Sequence, residues 1–171
     1  AWNHRWNGSA WIASPPKPDA LMHSAGGLIA SSEGMAKWMR ANLQRSTPAF
    51  EVAQRPIAKA KLADGEIDCN GYSLGWYTCT YKQHRVLMHP GSYTGVVSVT
   101  VLVPERDAGL SLVVTSDSAM EGVELEMMKA FIGLSTGEQG ESERLRKLVA
   151  EYPTLLSKLM AKRKQAIDDA K

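Results

Sequence analysis

Few residues in this chain have side chains suited to chemistry. There are four histidines, His4, His23, His84 and His89. No two of them have the spacing of metal ligands, so no metal site and no other cofactor is expected. His23 and His84 read as surface or supporting groups, and His4 carries no assignment. Taken alone, His89 is an ordinary polar residue at a strand end. Tyr93 reads almost equally as a pocket wall or as a half-buried strand tyrosine. Cys69 and Cys79 lie ten residues apart. A bridge between them would require both to lie across a hairpin. Two thiols are the expectation, because one bridge in a chain of this size is not a disulfide framework.

The elements that must position these groups follow from hydrophobic periodicity. Residues 1–24, rich in Trp, Pro, Asn and Ser, show no sustained period and read as an extended surface segment. Asn7-Gly8-Ser9 within it matches a glycosylation acceptor, a pattern common by chance. Ala25-Gly26-Gly27 marks a sharp backbone feature. A helix follows, with Ser31 or Ser32 as N-cap, Glu33 in the first turn, and an apolar stripe of Met35, Met39 and Leu43 beside Trp38. Pro48 is expected to end it. Phe50 to Leu62 reads as weakly helical or irregular, and Asp64-Gly65 as a turn. Tyr72 to Thr80 then reads as β, and Arg85 to His89 as a short strand. Gly95 to Val103 puts Val97, Val99, Val101 and Val103 on one face, with apolar residues on the other as well. Such a strand is buried on both sides. Leu110 to Thr115 is its expected hairpin partner. Met120 to Leu134 and Glu141 to Ala170 read as helices, joined by a flexible Ser135–Gly140 segment. Pro153 is expected to kink or restart the second of these. Glu141 and Glu143 near its start suit the helix dipole.

The fold class is therefore α+β: an antiparallel sheet with flanking helices and a helical tail. Residues 1–135 form the expected domain and 136–171 a helical extension. The 171 residues suffice for one domain with a real core. A 44% hydrophobic and 22% charged composition is that of a globular chain. A net charge of +2 gives no reason to expect nucleic acid as a partner. No apolar run is long enough for a membrane span. The first residues are neither a start methionine nor a signal peptide, so polypeptide upstream of Ala1 is expected and no compartment is assigned.

Three segments in order carry a resemblance. They are Ala25-Gly26-Gly27-Leu28-Ile29-Ala30-Ser31-Ser32 running into Met35–Met39; Tyr72-Ser73-Leu74-Gly75-Trp76; and His89-Pro90-Gly91-Ser92 followed by Gly95, a valine-rich strand and Pro104. Together they resemble the latter half of class C β-lactamases, D-alanyl-D-alanine carboxypeptidases and related esterases, proteins of the β-lactamase/penicillin-binding-protein type. The resemblance covers most of residues 20–135 and implies the C-terminal part of a β-lactamase/transpeptidase-like fold. His89-Pro90-Gly91-Ser92 corresponds to that family's Lys-Thr-Gly box. This correspondence implies that His89 is a cleft residue, that Gly91 lets ligand atoms approach the main chain, and that the Ser92 N–H points at a developing oxyanion. Tyr93 would then touch substrate. Pro90 removes a hydroxyl present in many relatives, which leans the substrate from a carboxylate-bearing β-lactam or D-alanyl group towards an ester or amide.

The same resemblance implies something missing. Catalysis in the family needs a serine and a lysine one helical turn apart and a tyrosine or serine relay, all upstream of the segments named here. Ser14-Pro15-Pro16-Lys17 has the spacing, but its prolines hold the chain extended, so the two side chains need not converge. There is no Tyr-x-Asn. The chain is thus expected to be a fragment of a serine hydrolase that supplies the oxyanion strand and is inactive alone. Its partners would be a small-molecule ester, amide or β-lactam and the N-terminal segment of the same protein. An isolated piece of this kind should show an exposed apolar sheet edge or face. The alternatives are a non-catalytic relative that binds a ligand or partner, and a small α+β domain of unrelated function.

Overall fold

The computed structural model describes residues 2–15, 18, 26–64, 66–116 and 122–170. In chain order the elements are β1 (His4–Trp6), β2 (Trp11–Ala13), α1 (Ser32–Leu43), α2 (Pro48–Ala53), β3 (Leu62–Asp64), β4 (Ile67–Tyr72), β5 (Tyr77–Tyr81), β6 (His84–Tyr93), β7 (Val96–Val103), a 3-10 turn (Pro104–Arg106), β8 (Ala108–Val114), α3 (Val123–Thr136) and α4 (Glu141–Asp169). Strands β3 to β8 form one antiparallel meander in sequence order, and β1 and β2 form a separate hairpin. The expected α+β class, a sheet with flanking helices, is what folds.

The sheet is covered on both sides. On one face Val86 and Met88 of β6 and Val99, Val101 and Val103 of β7 pack against Met128 and Ile132 of α3. On the other, Leu87, Leu102 and Trp76 meet Met39 and Leu43 of α1. Trp38 stacks on Trp76 with ring centroids 5.1 Å apart. Each of these fully buried aliphatic side chains stabilises the fold by about 1.5–3 kcal/mol relative to exposure. Ser31 caps α1, its Oγ accepting the Gly34 N–H at 3.0 Å. On its outer side β8 has no strand partner among the described residues, and Val113 there is exposed.

Several expectations are corrected. Cys69 and Cys79 are bonded to each other, not free thiols. They face one another directly across the β4–β5 pair, the hairpin arrangement that a bridge requires. The β region expected over Tyr72–Thr80 is two strands, divided at the Ser73–Trp76 turn. The N-terminal segment is not simply extended. Asn7 turns the chain between β1 and β2, its Oδ1 accepting the N–H groups of Ser9 and Ala10. Pro48 does not end α1, which stops at Leu43; it opens α2, where its missing N–H is harmless. Strand β6 is ten residues long and runs through Pro90 and Gly91. Helix α4 continues through Pro153 without a restart. The carbonyl that Pro153 leaves unpaired belongs to Val149, which is exposed, so water can satisfy it. Gly65, Ala25 and Met120 lie outside the described residues, as does His23.

Helix α4 is anchored through its first turn. Glu141 is buried, and its Oε1 accepts hydrogen bonds from Tyr81 Oη at 3.1 Å and Lys82 Nζ at 3.0 Å. It is a packed acceptor rather than a solvated dipole partner. A Cβ on Gly133 would lie 2.3 Å from Glu141 Cγ, so a larger residue there would have to displace the Glu141 side chain. Arg144 donates to Tyr81 Oη at 2.9 Å and pairs with Glu126, which Lys129 also meets at 2.9 Å. The far end of α4 returns to the N-terminal hairpin, placing Ile167 beside Gly8.

Candidate active site

The second half of β6 is an edge. Tyr77, the first residue of β5, pairs with Met88. Beyond it, among the described residues, His89 to Tyr93 have β7 as their strand partner, in the register His89↔Thr100, Pro90↔Val99, Gly91↔Ser98, Ser92↔Val97 and Tyr93↔Val96. This explains how a proline and a glycine fit inside a ten-residue strand: Pro90 lies where one neighbour is absent. Gly91 has a packing reason as well. A Cβ there would lie 2.7 Å from Ser98 Oγ on the neighbouring strand.

A groove of about 820 Å³ lies beside this stretch. Pro90 to Thr94 form one wall and Val97 and Ser98 continue it. Gly122, Glu124 and Leu125, at the start of α3, close the other side. Among the described residues, α3 covers part of β7 and not its first residues. Val99, Val101 and Val103 lie under the helix, whereas Val97, on the same face, lines the groove.

Of the residues singled out from sequence, Gly91, Ser92 and Tyr93 come together along this groove, and His89 does not line it. Instead His89 Nδ1 lies 2.7 Å from the carbonyl oxygen of Gly75. Its ring sits 6.2 Å from that of Tyr72 and 6.3 Å from that of Tyr77. Tyr72 and Tyr77 meet edge to face at 4.8 Å. Gly75 presents its carbonyl from the Ser73–Trp76 turn with φ +88°, a conformation that favours glycine. Ser14 is buried and does not line the groove; Lys17 lies outside the described residues.

Glu124 and Gly122 were not legible in the sequence. An acid in the first turn of a helix carries no signal beyond the dipole. Only the three-dimensional placement of α3 against β7 brings them to the groove. The other missed cluster surrounds the β5–β6 turn. His84 Nε2 is 3.1 Å from Glu138, and Nδ1 contacts Glu105. The bond to Glu138 holds the imidazole above its usual range against the opposing effect of burial. Lys82, 3.0 Å from Glu138, and then His84 hold the Glu138 carboxyl below the usual range. Among the described residues no cluster of His, Cys, Asp and Glu could hold a metal, and no helix is long and apolar enough to cross a membrane.

Comparison with known proteins gives one family. The family model described as Beta-lactamase matches residues 1–132, which include the sheet and most of α3 but not α4. No curated protein matches the chain.

Proposed function

Because this chain belongs to the Beta-lactamase family, we propose that it is part of a serine hydrolase acting through an acyl-enzyme on a small ester, amide or β-lactam. Its contribution is the strand beside the groove. The Ser92 N–H serves as an oxyanion donor, Gly91 permits close approach of the acyl group, Tyr93 contacts the substrate, and His89 moves a proton or orients a polar group where the second half of the strand begins. The attacking serine and its lysine belong to polypeptide other than residues 1–171. The observation that supports this reading is that Pro90 to Ser92 have no second strand partner among the described residues and border a groove in one place. Among the described residues the outer side of β8 has no strand partner and Val113 is exposed, which is compatible with a larger sheet. Residues 136–171 are read as an extension to the domain formed by residues 1–135, which agrees with a family match that ends at residue 132.

The test is acylation. In the whole natural protein, a serine-directed probe such as a penicillin or an activated ester should label one serine outside this chain, and the chain alone should remain unlabelled. Labelling of nothing in the whole protein contradicts the enzyme. A second reading, a non-catalytic binding module, is favoured by one feature. Among the described residues, no amine or imidazole lines the groove to activate Ser92 or Ser98. It predicts ligand binding without acylation.

A further inference from the structure

The turn between β1 and β2 holds a side-chain amide in a reactive setting. Asn7 is exposed, and Gly8 after it has no side chain to crowd the Asn7 carboxamide. Asn7 Oδ1 accepts hydrogen bonds from the Ser9 N–H at 2.9 Å, the Ala10 N–H at 2.8 Å and the Ser9 hydroxyl at 3.1 Å. Donors gathered on one carbonyl oxygen draw charge from its carbon. They also stabilise the negative oxygen that forms when a nucleophile adds there, as an oxyanion hole does. A nucleophile is adjacent. Among the described residues the Gly8 N–H donates to no acceptor, and Asn7 Nδ2 is equally unengaged.

A second Asn-Gly pair lies in the opposite setting. Asn70 sits at the bulge of β4, and its Oδ1 accepts no hydrogen bond among the described residues. Gly71 is buried and pairs with Thr78 of β5. A Cβ there would lie 2.8 Å from Thr78 Oγ1 and 3.0 Å from Pro56 Cβ. Ring closure needs the main chain to turn back on the asparagine side chain, which a paired strand resists.

We propose that Asn7 is a self-modifying site, converted in the folded chain to aspartate or isoaspartate through a cyclic imide. The Gly8 nitrogen gives up its proton and forms a bond to Asn7 Cγ. The Cγ–Nδ2 bond breaks, and Nδ2 leaves as ammonia with that proton. Water then opens the imide at either carbonyl, and nothing is oxidised or reduced. Asn7 does not line the groove, so this chemistry stands apart from the hydrolase reading. The turn that changes is the one beside Ile167 of α4.

The experiment incubates the 171-residue chain in mildly alkaline buffer, folded and in denaturant, and follows both asparagines by peptide mass mapping. The mass gain from amide to acid and the separate isoaspartate peptide mark conversion. Asn7 should convert about tenfold faster in the folded chain than in the denatured one, the combined effect of its donors. Asn70 should convert more slowly folded than denatured. Ser9→Ala, which removes the hydroxyl donor alone, should slow Asn7 by about threefold in the folded chain. Conversion of Asn7 no faster folded than denatured overturns the proposal without recourse to the variant. So does folded Asn70 converting as fast as Asn7, or a Ser9→Ala chain that converts at the native rate.

Discussion

His89 Nδ1 lies 2.7 Å from the carbonyl oxygen of Gly75. A carbonyl only accepts, so Nδ1 carries the proton and Nε2 of the neutral ring keeps its lone pair. The turn before β5 therefore selects the tautomer of the residue that opens the candidate strand. Nitrogen NMR of the neutral imidazole should show the Nδ1–H form in the native chain. In Gly75→Ala the φ of +88° is strained, although the new methyl would meet nothing within 4 Å. The carbonyl should turn away and the common Nε2–H form should appear. An Nε2–H tautomer in the native chain would contradict the contact.

Gly133→Ala separates packing from propensity. In an ordinary helix this change stabilises by about 1 kcal/mol. Here the methyl would lie 2.3 Å from Glu141 Cγ and 2.8 Å from Oε1, which holds Tyr81 and Lys82. Overpacking of this kind should instead destabilise by about 1–3 kcal/mol, read by chemical denaturation, and should loosen the first turn of α4 in hydrogen exchange. A stabilised variant would contradict the anchoring of α4.

The His84 contacts tie β6 to the segment between α3 and α4 and to the 3-10 turn, and they should depend on pH. The folded imidazole titrates above its ordinary 6.5, so its contribution is complete below pH 6.5 and fades as pH rises through the folded value. Glu138 titrates below its ordinary 4.5, so its contribution is present above pH 4.5 and fades as pH falls through the folded value. The contacts should therefore be strongest between these limits. Thermal unfolding should lose on the order of 1–3 °C between pH 6 and pH 8.5. In His84→Gln that difference should shrink; an unchanged slope would contradict the assignment.

The Cys69–Cys79 bridge predicts that the denatured chain has no free thiols. Replacing both cysteines with serine should destabilise by about 2–3 kcal/mol, the value expected for closing a loop of this length. Two titratable thiols in freshly isolated, unreduced protein would contradict the bridge.

Where pattern and packing agree, the sequence was readable. In β7 every second residue is a valine and both faces are apolar, and the strand is indeed covered by helices on both sides. The stripe of Met35, Met39 and Leu43 likewise lies on α1, and Met39 and Leu43 reach the core. Readings failed where a residue's usual habit was overridden by its place in the fold. Pro90 and Gly91 look like the end of a strand, yet β6 continues because it is an edge beyond Met88. Pro153 looks like a helix break, yet Val149, the residue whose carbonyl it orphans, is exposed. Asn7-Gly8 is a strong hairpin signal, and reading it as a glycosylation pattern hid the β1–β2 turn. The wall of the groove formed by Gly122, Glu124 and Leu125 depends on where α3 starts against β7, which no local pattern encodes.

The backbone amide of Ser92 offers the most direct measurement. In the whole natural protein, replacing that single N–H by an ester oxygen leaves every side chain in place and removes only the proposed oxyanion donor. The acylation rate should fall by about 100- to 1,000-fold while substrate affinity changes little. An ester variant that is acylated as fast as the native protein would show that this strand does not serve the reaction.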